Sequence, residues 1–168
     1  MKALVTGSSG FIGTHLTREP NVQGYRVVIL QRRIIDATPG VRNYIGDIEN
    51  GSSVDTAIRD SQSDVVFHLA AQSSPKLSWD EPRLTLRTNL DGTINVLDAI
   101  RKYSNHSRLV MVSSSAIYNE HPHGLALSED DVPNPTNPYG VFKISAEFIC
   151  HVYAKQFSTD CVIVRPFL

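Results

Sequence analysis

The chain has 168 residues, 41% hydrophobic and 20% charged, with a formal net charge of -1. That length suits one domain with a real core and is short for two, and the balanced charge gives no basic footprint for nucleic acid or an anionic membrane. No apolar run approaches the ~20 residues of a membrane span, and Lys2 with three apolar residues before Thr6 reads as a core strand, not a signal peptide.

The chain opens with a short buried strand, Lys2–Thr6, followed at once by Gly7-Ser8-Ser9-Gly10-Phe11-Ile12-Gly13. A helix is expected over residues 11–19, with Pro20 ending it early. Strands follow at 25–30 and 41–45, then a helix at 52–60 with Ser52 or Ser53 as its cap. A fourth strand at 64–69 leads into a small polar loop at 70–74. The longest helical stretch is 82–102, where Leu86, Leu90, Ile94, Leu97 and Ile100 recur at helical spacing. A fifth strand at 109–113, a long loop at 119–138, a helix at 139–157 and a sixth strand at 160–164 complete the pattern. Alternating strands and helices predict an α/β fold, a doubly wound parallel sheet with helices on both faces. Cys150 and Cys161, the only cysteines, suit buried thiols in a reduced, cytoplasmic protein better than a disulfide framework.

The chemistry is concentrated in three places. The glycine stretch joins a strand to a helix start, where tight backbone turns and free N–H groups suit a pyrophosphate. Its spacing, Gly7-x-x-Gly10-x-x-Gly13, differs from the common dinucleotide fingerprint. Tyr139 and Lys143 are four residues apart on one helix face, where an ammonium favours the phenolate of a phenol that otherwise ionises near pH ~10. Ser113, Ser114 and Ser115 close the fifth strand, at the sheet edge where ligands bind, and a hydroxyl there can hold a substrate oxygen. Three other signals read as structural: His121 and His123 as surface residues, not metal ligands, and His68 as a strand-end hydrogen-bonding group. Trp79 suits stacking on a base or sugar, or packing at a helix edge.

Taken together, these stretches resemble the extended short-chain dehydrogenase/reductases, in their nucleotide-sugar epimerase/dehydratase branch. The resemblance rests on seven stretches in order. They are Thr6-Gly7-x-x-Gly10-Phe11-Ile12-Gly13, Gly46-Asp47-Ile48, His68-Leu69-Ala70-Ala71-Gln72-Ser73, Asn89-Leu90-Asp91-Gly92-Thr93, Ser113-Ser114-Ser115-Ala116-Ile117-Tyr118, Tyr139-x-x-x-Lys143 and Arg165-Pro166-Phe167. The resemblance implies a Rossmann fold whose glycine loop holds the cofactor pyrophosphate. It implies Asp47 and Ile48 at the adenine, and Leu69, Ala70 and Ala71 on the path to the nicotinamide. Tyr139 would be the acid/base and Lys143 would hold the nicotinamide ribose. Ser114, four residues before Tyr118, would be the catalytic serine.

Two departures shape the expected reaction. NAD-binding relatives carry an acid at the end of the second strand, whereas this chain has Gln31, Arg32 and Arg33. Either the arginines are solvated surface residues, or they pair with a 2′-phosphate and the cofactor is NADP(H). The 4,6-dehydratases place a Glu where this chain has Ala116, which disfavours that chemistry. The stretch Gln72 to Pro82 looks most like the GDP-mannose dehydratase and GDP-4-keto-6-deoxymannose reductase group. The expectation is therefore NADPH-dependent reduction of a nucleotide-linked 4-keto sugar, with a sugar 4-epimerase or a non-catalytic cofactor-binding fragment as alternatives. Residues 1–168 are expected to form the dinucleotide-binding domain alone, lacking the C-terminal substrate domain of relatives and weakly active or inactive by itself. The resemblance also implies a homodimer through helices near 82–103 and 139–157.

Overall fold

A computed structural model describes residues 1–18, 24, 26–33, 41–119 and 126–167. Six strands are β1 (Lys2–Thr6), β2 (Arg26–Gln31), β3 (Arg42–Ile45), β4 (Val65–His68), β5 (Arg108–Val112) and β6 (Cys161–Val164). The helices are α1 (Phe11–Arg18), α2 (Gly51–Ser61), α3 (Pro75–Asp80), α4 (Pro82–Leu86), α5 (Gly92–Tyr103) and α6 (Pro138–Phe157). The strands form one parallel sheet in the order β3-β2-β1-β4-β5-β6. The order reverses direction at β1, the topological switch where Rossmann folds bind their ligands. Thr6 pairs with Leu30 on one side and His68 on the other, so the ends of β1, β2 and β4 lie level at that switch.

The main core lies on one face of the sheet. Leu4, Leu30, Val66, Leu109 and Met111 pack against Val54 and Ile58 of α2, Val96, Leu97 and Ile100 of α5, and Ala146 and Cys150 of α6. A smaller cluster of Val5, Val27 and Ile29 forms on the other face, where right-handed crossovers place α1. Cys161 and Ile163 of β6 turn toward the main core, while Val162 and Val164 point away and stay exposed. Both cysteines are free, Cys150 buried and Cys161 half-buried.

The expected strands are all present, with ends shifted by a residue or so. Glu19, Pro20 and Tyr25 lie outside the described residues, as do Glu120, His121, His123 and Leu168. Three differences are local. The cap of α2 is Asn50, not Ser52 or Ser53, because its side chain accepts the N–H groups of both serines. Residues 75–80 form α3, which has no counterpart in the sequence reading. Six residues are too few to show a helical period, although Ser74 as cap and Pro75 in the first turn were its signals.

The long helix at 82–102 is not uniform. A wide turn at Arg87–Asp91, in which the Gly92 N–H reaches back to the Arg87 carbonyl, separates α4 from α5. The extra residue rotates the buried stripe. Thr85, Asn89, Gly92, Thr93 and Val96 face inward, while Leu86, Leu90 and Ile94 are only half-buried. The first half of the stripe is thus polar, and its groups are used in the site.

Candidate active site

At the end of β1 the backbone turns at Gly7 with φ 69°. A Cβ there would collide with the backbone of Leu69 and Ala70, so only glycine lets the exits of β1 and β4 touch. Gly13, in the first turn of α1, packs directly on the Gly7 carbonyl and Ser8. The Gly10 N–H bonds the Gly7 carbonyl at 3.1 Å, and no acidic residue lies in the first turn of α1. The open end of α1 therefore points its free N–H groups at a site ready for an anion.

That site opens into a cleft of about 900 Å³. Gly7, Gly10, Phe11, Ile12, Gly13, Gln31, Arg32, Arg33, Asp47, Ile48, Leu69, Ala70 and Ala71 all line it. Gln72, Leu77, Thr88 and Val112 line it as well, and sequence reasoning did not single them out. Gln31 is held at both ends: its Oε1 accepts from Ser8 Oγ at 3.2 Å, and its Nε2 donates to Asn43 Oδ1 at 2.9 Å. Arg32 and Arg33 stand exposed beside it. Next to Gln31, whose carbonyl accepts the Gly46 N–H at 2.9 Å, the Asp47 carboxylate accepts the Glu49 N–H at 3.0 Å, and Ile48 is buried.

A polar chain ties the cleft to the interrupted helix. Ala70 N–H donates to Thr6 Oγ1 at 3.2 Å, and Thr6 Oγ1 lies 2.9 Å from His68 Nδ1. His68 Nε2 lies 3.1 Å from Thr93 Oγ1, which itself donates to the Asn89 carbonyl at 2.7 Å. Since the Thr93 proton is committed to Asn89, the imidazole carries its own proton on Nε2 and accepts from Thr6 at Nδ1. Burial, with the Lys143 charge nearby, drives the His68 pKa down to about 3. His68 is thus a neutral connector, in keeping with its reading as a strand-end hydrogen-bonding group. Asn89, turned inward by the wide turn, clasps the backbone of Gln72 through both amide atoms, at 2.8 and 2.9 Å.

Beside Val112, at the cleft wall, lie the remaining expected residues. Asn137 caps α6 by accepting the Gly140 N–H at 2.9 Å, and Pro138 fills the first turn. The Tyr139 N–H is taken by Ser78 Oγ of α3 at 3.1 Å. Tyr139 is 7% exposed. Burial pushes its phenol up, and a hydrogen bond with Ser114 opposes that. Lys143 Nζ donates to the Val112 carbonyl at 2.8 Å and lies 5.9 Å from the centroid of the Tyr139 ring. Burial lowers the Lys143 ammonium to about 8, against the opposing charge of Glu147. The structure thus brings Ser114, Tyr139 and Lys143 together. They adjoin the cleft and are not part of its lining. Such a group can hold an oxygen at Ser114 and exchange a proton with it through Tyr139.

Other sequence signals fare differently. Trp79 is 64% exposed on α3, so most of its side chain stands open to solvent in this structure. Among the described residues no three His, Cys, Asp or Glu side chains gather as a metal site, and no helix is long and apolar enough to cross a membrane. Ser78, Gln72 and the pair Glu147–Arg165 escaped the sequence reading. Gln72, Ser78 and Arg165 lay in stretches used for the resemblance but were given no role, and nothing local marked Glu147.

Residues 3–168 match the NAD dependent epimerase/dehydratase family. The chain belongs to that family. Within it, the chain is 37% identical over 155 residues to a UDP-glucose 4-epimerase of Lactobacillus helveticus, covering 89% of this chain and 46% of that protein. Its fold superposes on the Thermus thermophilus UDP-glucose 4-epimerase in complex with NAD with a TM-score of 0.91 and 34% identity, covering 98% of this chain and 54% of the other. The UDP-glucuronic acid 4-epimerase of Bacillus cereus, in complex with UDP-glucuronic acid and NAD, superposes with a TM-score of 0.85 and 32% identity, covering 98% and 56%. The chain thus spans about half the length of the relatives it matches. These epimerase/dehydratase relatives are named for UDP-sugars, and the two structures hold NAD, so the expected kinship to the GDP-mannose group receives no specific support.

Proposed function

We propose that this chain is the cofactor-binding and proton-transferring half of an NAD-dependent UDP-sugar 4-epimerase. The observation that carries this reading is the contact of Tyr139 with Ser114, with Lys143 one turn further along α6 and bonded to the wall of the cleft. The three relatives described above are 4-epimerases, which favours the epimerase reading over keto-sugar reduction.

The cleft fits a dinucleotide. The backbone of Gly7, Gly10 and Gly13 leaves room for a pyrophosphate at the α1 N-terminus, and Asp47 and Ile48 form the adenine wall. Ala70 and Ala71 lead toward Val112, where Lys143 would hold the nicotinamide ribose. The bound nicotinamide supplies a two-electron acceptor and donor. The chain supplies the proton work. Ser114 holds the sugar 4-oxygen, and Tyr139 removes the hydroxyl proton on one half-reaction and returns it on the other. Lys143, charged below about pH 8, favours the phenolate that this requires. The buried, neutral His68 takes no part in proton exchange.

One observation favours a second reading. Gln31, not a carboxylate, stands at the end of β2 where the ribose 2′-hydroxyl would be bound, and Arg32 and Arg33 line the cleft beside it. That arrangement suits a 2′-phosphate and an NADPH-dependent keto-sugar reductase. Parallel fluorescence titrations with NADH and NADPH separate the two. Tighter NADH binding, with interconversion of UDP-glucose and UDP-galactose, supports the epimerase, and tighter NADPH binding selects the reductase. Binding of neither leaves a non-catalytic chain. The exposed apolar side chains Val141, Phe148 and Val152 on α6 also support pairing with a second copy, which sedimentation equilibrium would detect.

A further inference from the structure

Behind Lys143, one turn further along α6, Glu147 is 1% exposed. Its carboxylate is gripped by the Arg165 guanidinium, with Nη2 to Oε2 at 2.7 Å and Nε to the two oxygens at 3.1 and 3.2 Å. Arg165 spends its remaining nitrogen on the Tyr118 hydroxyl and on the Glu129 carbonyl, the latter at 3.1 Å. Tyr118 in turn stacks with Phe167 at 6.2 Å between centroids. The pair therefore joins α6, the segment after β6, and two points, Tyr118 and Glu129, of the loop between β5 and α6.

A buried ion pair of this kind gains little stability over an apolar pair of the same shape, because desolvation consumes the attraction. Its charge needs another explanation. Lys143, itself 6% exposed, lies four residues before Glu147 on the same face of α6, and Arg165 bonds that carboxylate from the segment after β6. We propose that Glu147 is a positioning residue for Lys143, supplying the buried negative charge opposite its ammonium, with Arg165 fixing that carboxylate in place. The proposal rests on the assignment of Lys143 above and adds what sustains its charge.

The surroundings of Lys143 narrow the source of that charge. From β5 it meets the Val112 carbonyl, from β4 the neutral His68, and from its own helix Tyr139 and Glu147. Of these groups Glu147 alone carries a carboxyl group. Burial lowers Lys143 to about 8 and Glu147 opposes the fall. Without Glu147 that opposing charge is lost, and the ammonium would discharge closer to neutral pH.

The test uses the full chain with isotopically labelled lysine, following the Lys143 Cε resonance against pH and assigning it with Lys143→Met. The parent resonance is expected to titrate near 8. In Glu147→Gln it is expected to move down by about one unit or more. Glu147→Asp, which keeps the charge, should recover part of the shift. Because Glu147→Gln leaves Arg165 unpaired, the double variant Glu147→Gln/Arg165→Met is measured alongside it. That variant leaves no unpaired guanidinium and should fold, with Lys143 still titrating below the parent. Parent-like titration in either folded variant overturns the proposal, and failure of both to fold overturns it in favour of a purely structural pair. An incorrect cofactor role for Lys143 would appear separately, as unchanged NADH binding in Lys143→Met, and would leave these titrations untouched.

Discussion

Replacing Ser78 with alanine isolates one contact that holds the candidate acid/base. Ser78 is fully buried on α3, and its Oγ accepts the Tyr139 N–H at 3.1 Å while donating to the Pro75 carbonyl at 2.6 Å. Alanine removes both bonds and admits no water, so a buried donor in the first turn of α6 loses its partner. An unsatisfied buried group of this kind costs about 1–3 kcal/mol. The lost volume is smaller than a methyl group, so a cavity term adds little. A loss near 2 kcal/mol corresponds to a melting temperature lowered by roughly 4–8 °C for a chain of this size. Asn137→Ala provides the comparison. Its side chain caps the next N–H from a half-buried position, where water can replace it, and about 1 kcal/mol is expected. Thermal unfolding followed by circular dichroism measures both. If Ser78→Ala melts no lower than Asn137→Ala, the Ser78 bond does not anchor α6 as described.

Further outcomes follow from the same geometry. Tyr139→Phe should abolish turnover while leaving the NADH affinity within about twofold, since it removes only the phenol that exchanges the proton. Gly13→Ala should raise the dissociation constant for NADH by at least ~10-fold, measured by fluorescence titration, because its Cβ meets the Gly7 carbonyl and displaces the loop. His68, with a pKa lowered to about 3, stays neutral in the fold below the pH at which it charges in the unfolded chain. The unfolded state therefore binds the extra proton between about pH 6.5 and 3, and stability falls as pH falls, by about 2 kcal/mol on reaching pH 5. Urea unfolding across that range should show a shallower pH dependence in His68→Asn, and an unchanged slope would contradict the burial of this imidazole.

The sequence by itself determined the sheet, the glycine loop and the Tyr139–Lys143 pair, because each is written in neighbouring residues. Strands show as short apolar runs, the β1–α1 turn as closely spaced glycines, and two side chains four apart share a helix face wherever the helix lies. The thirteen residues expected on the cofactor path beside that pair do line one cleft, since strand ends in a parallel sheet converge at one edge. Tertiary structure decided what holds them there. Ser78 reaches Tyr139 across 61 positions in the sequence, Gln72 meets Asn89 across 17, and Glu147 meets Arg165 across 18. No period or motif links such partners. Asn89 faces inward only because the wide turn at Arg87–Asp91 rotates the helix, a shift that a regular spacing of leucines conceals. Charge depends on burial in the same way: Lys143 and His68 are ordinary residues in sequence, and the fold alone lowers one to about 8 and the other to about 3.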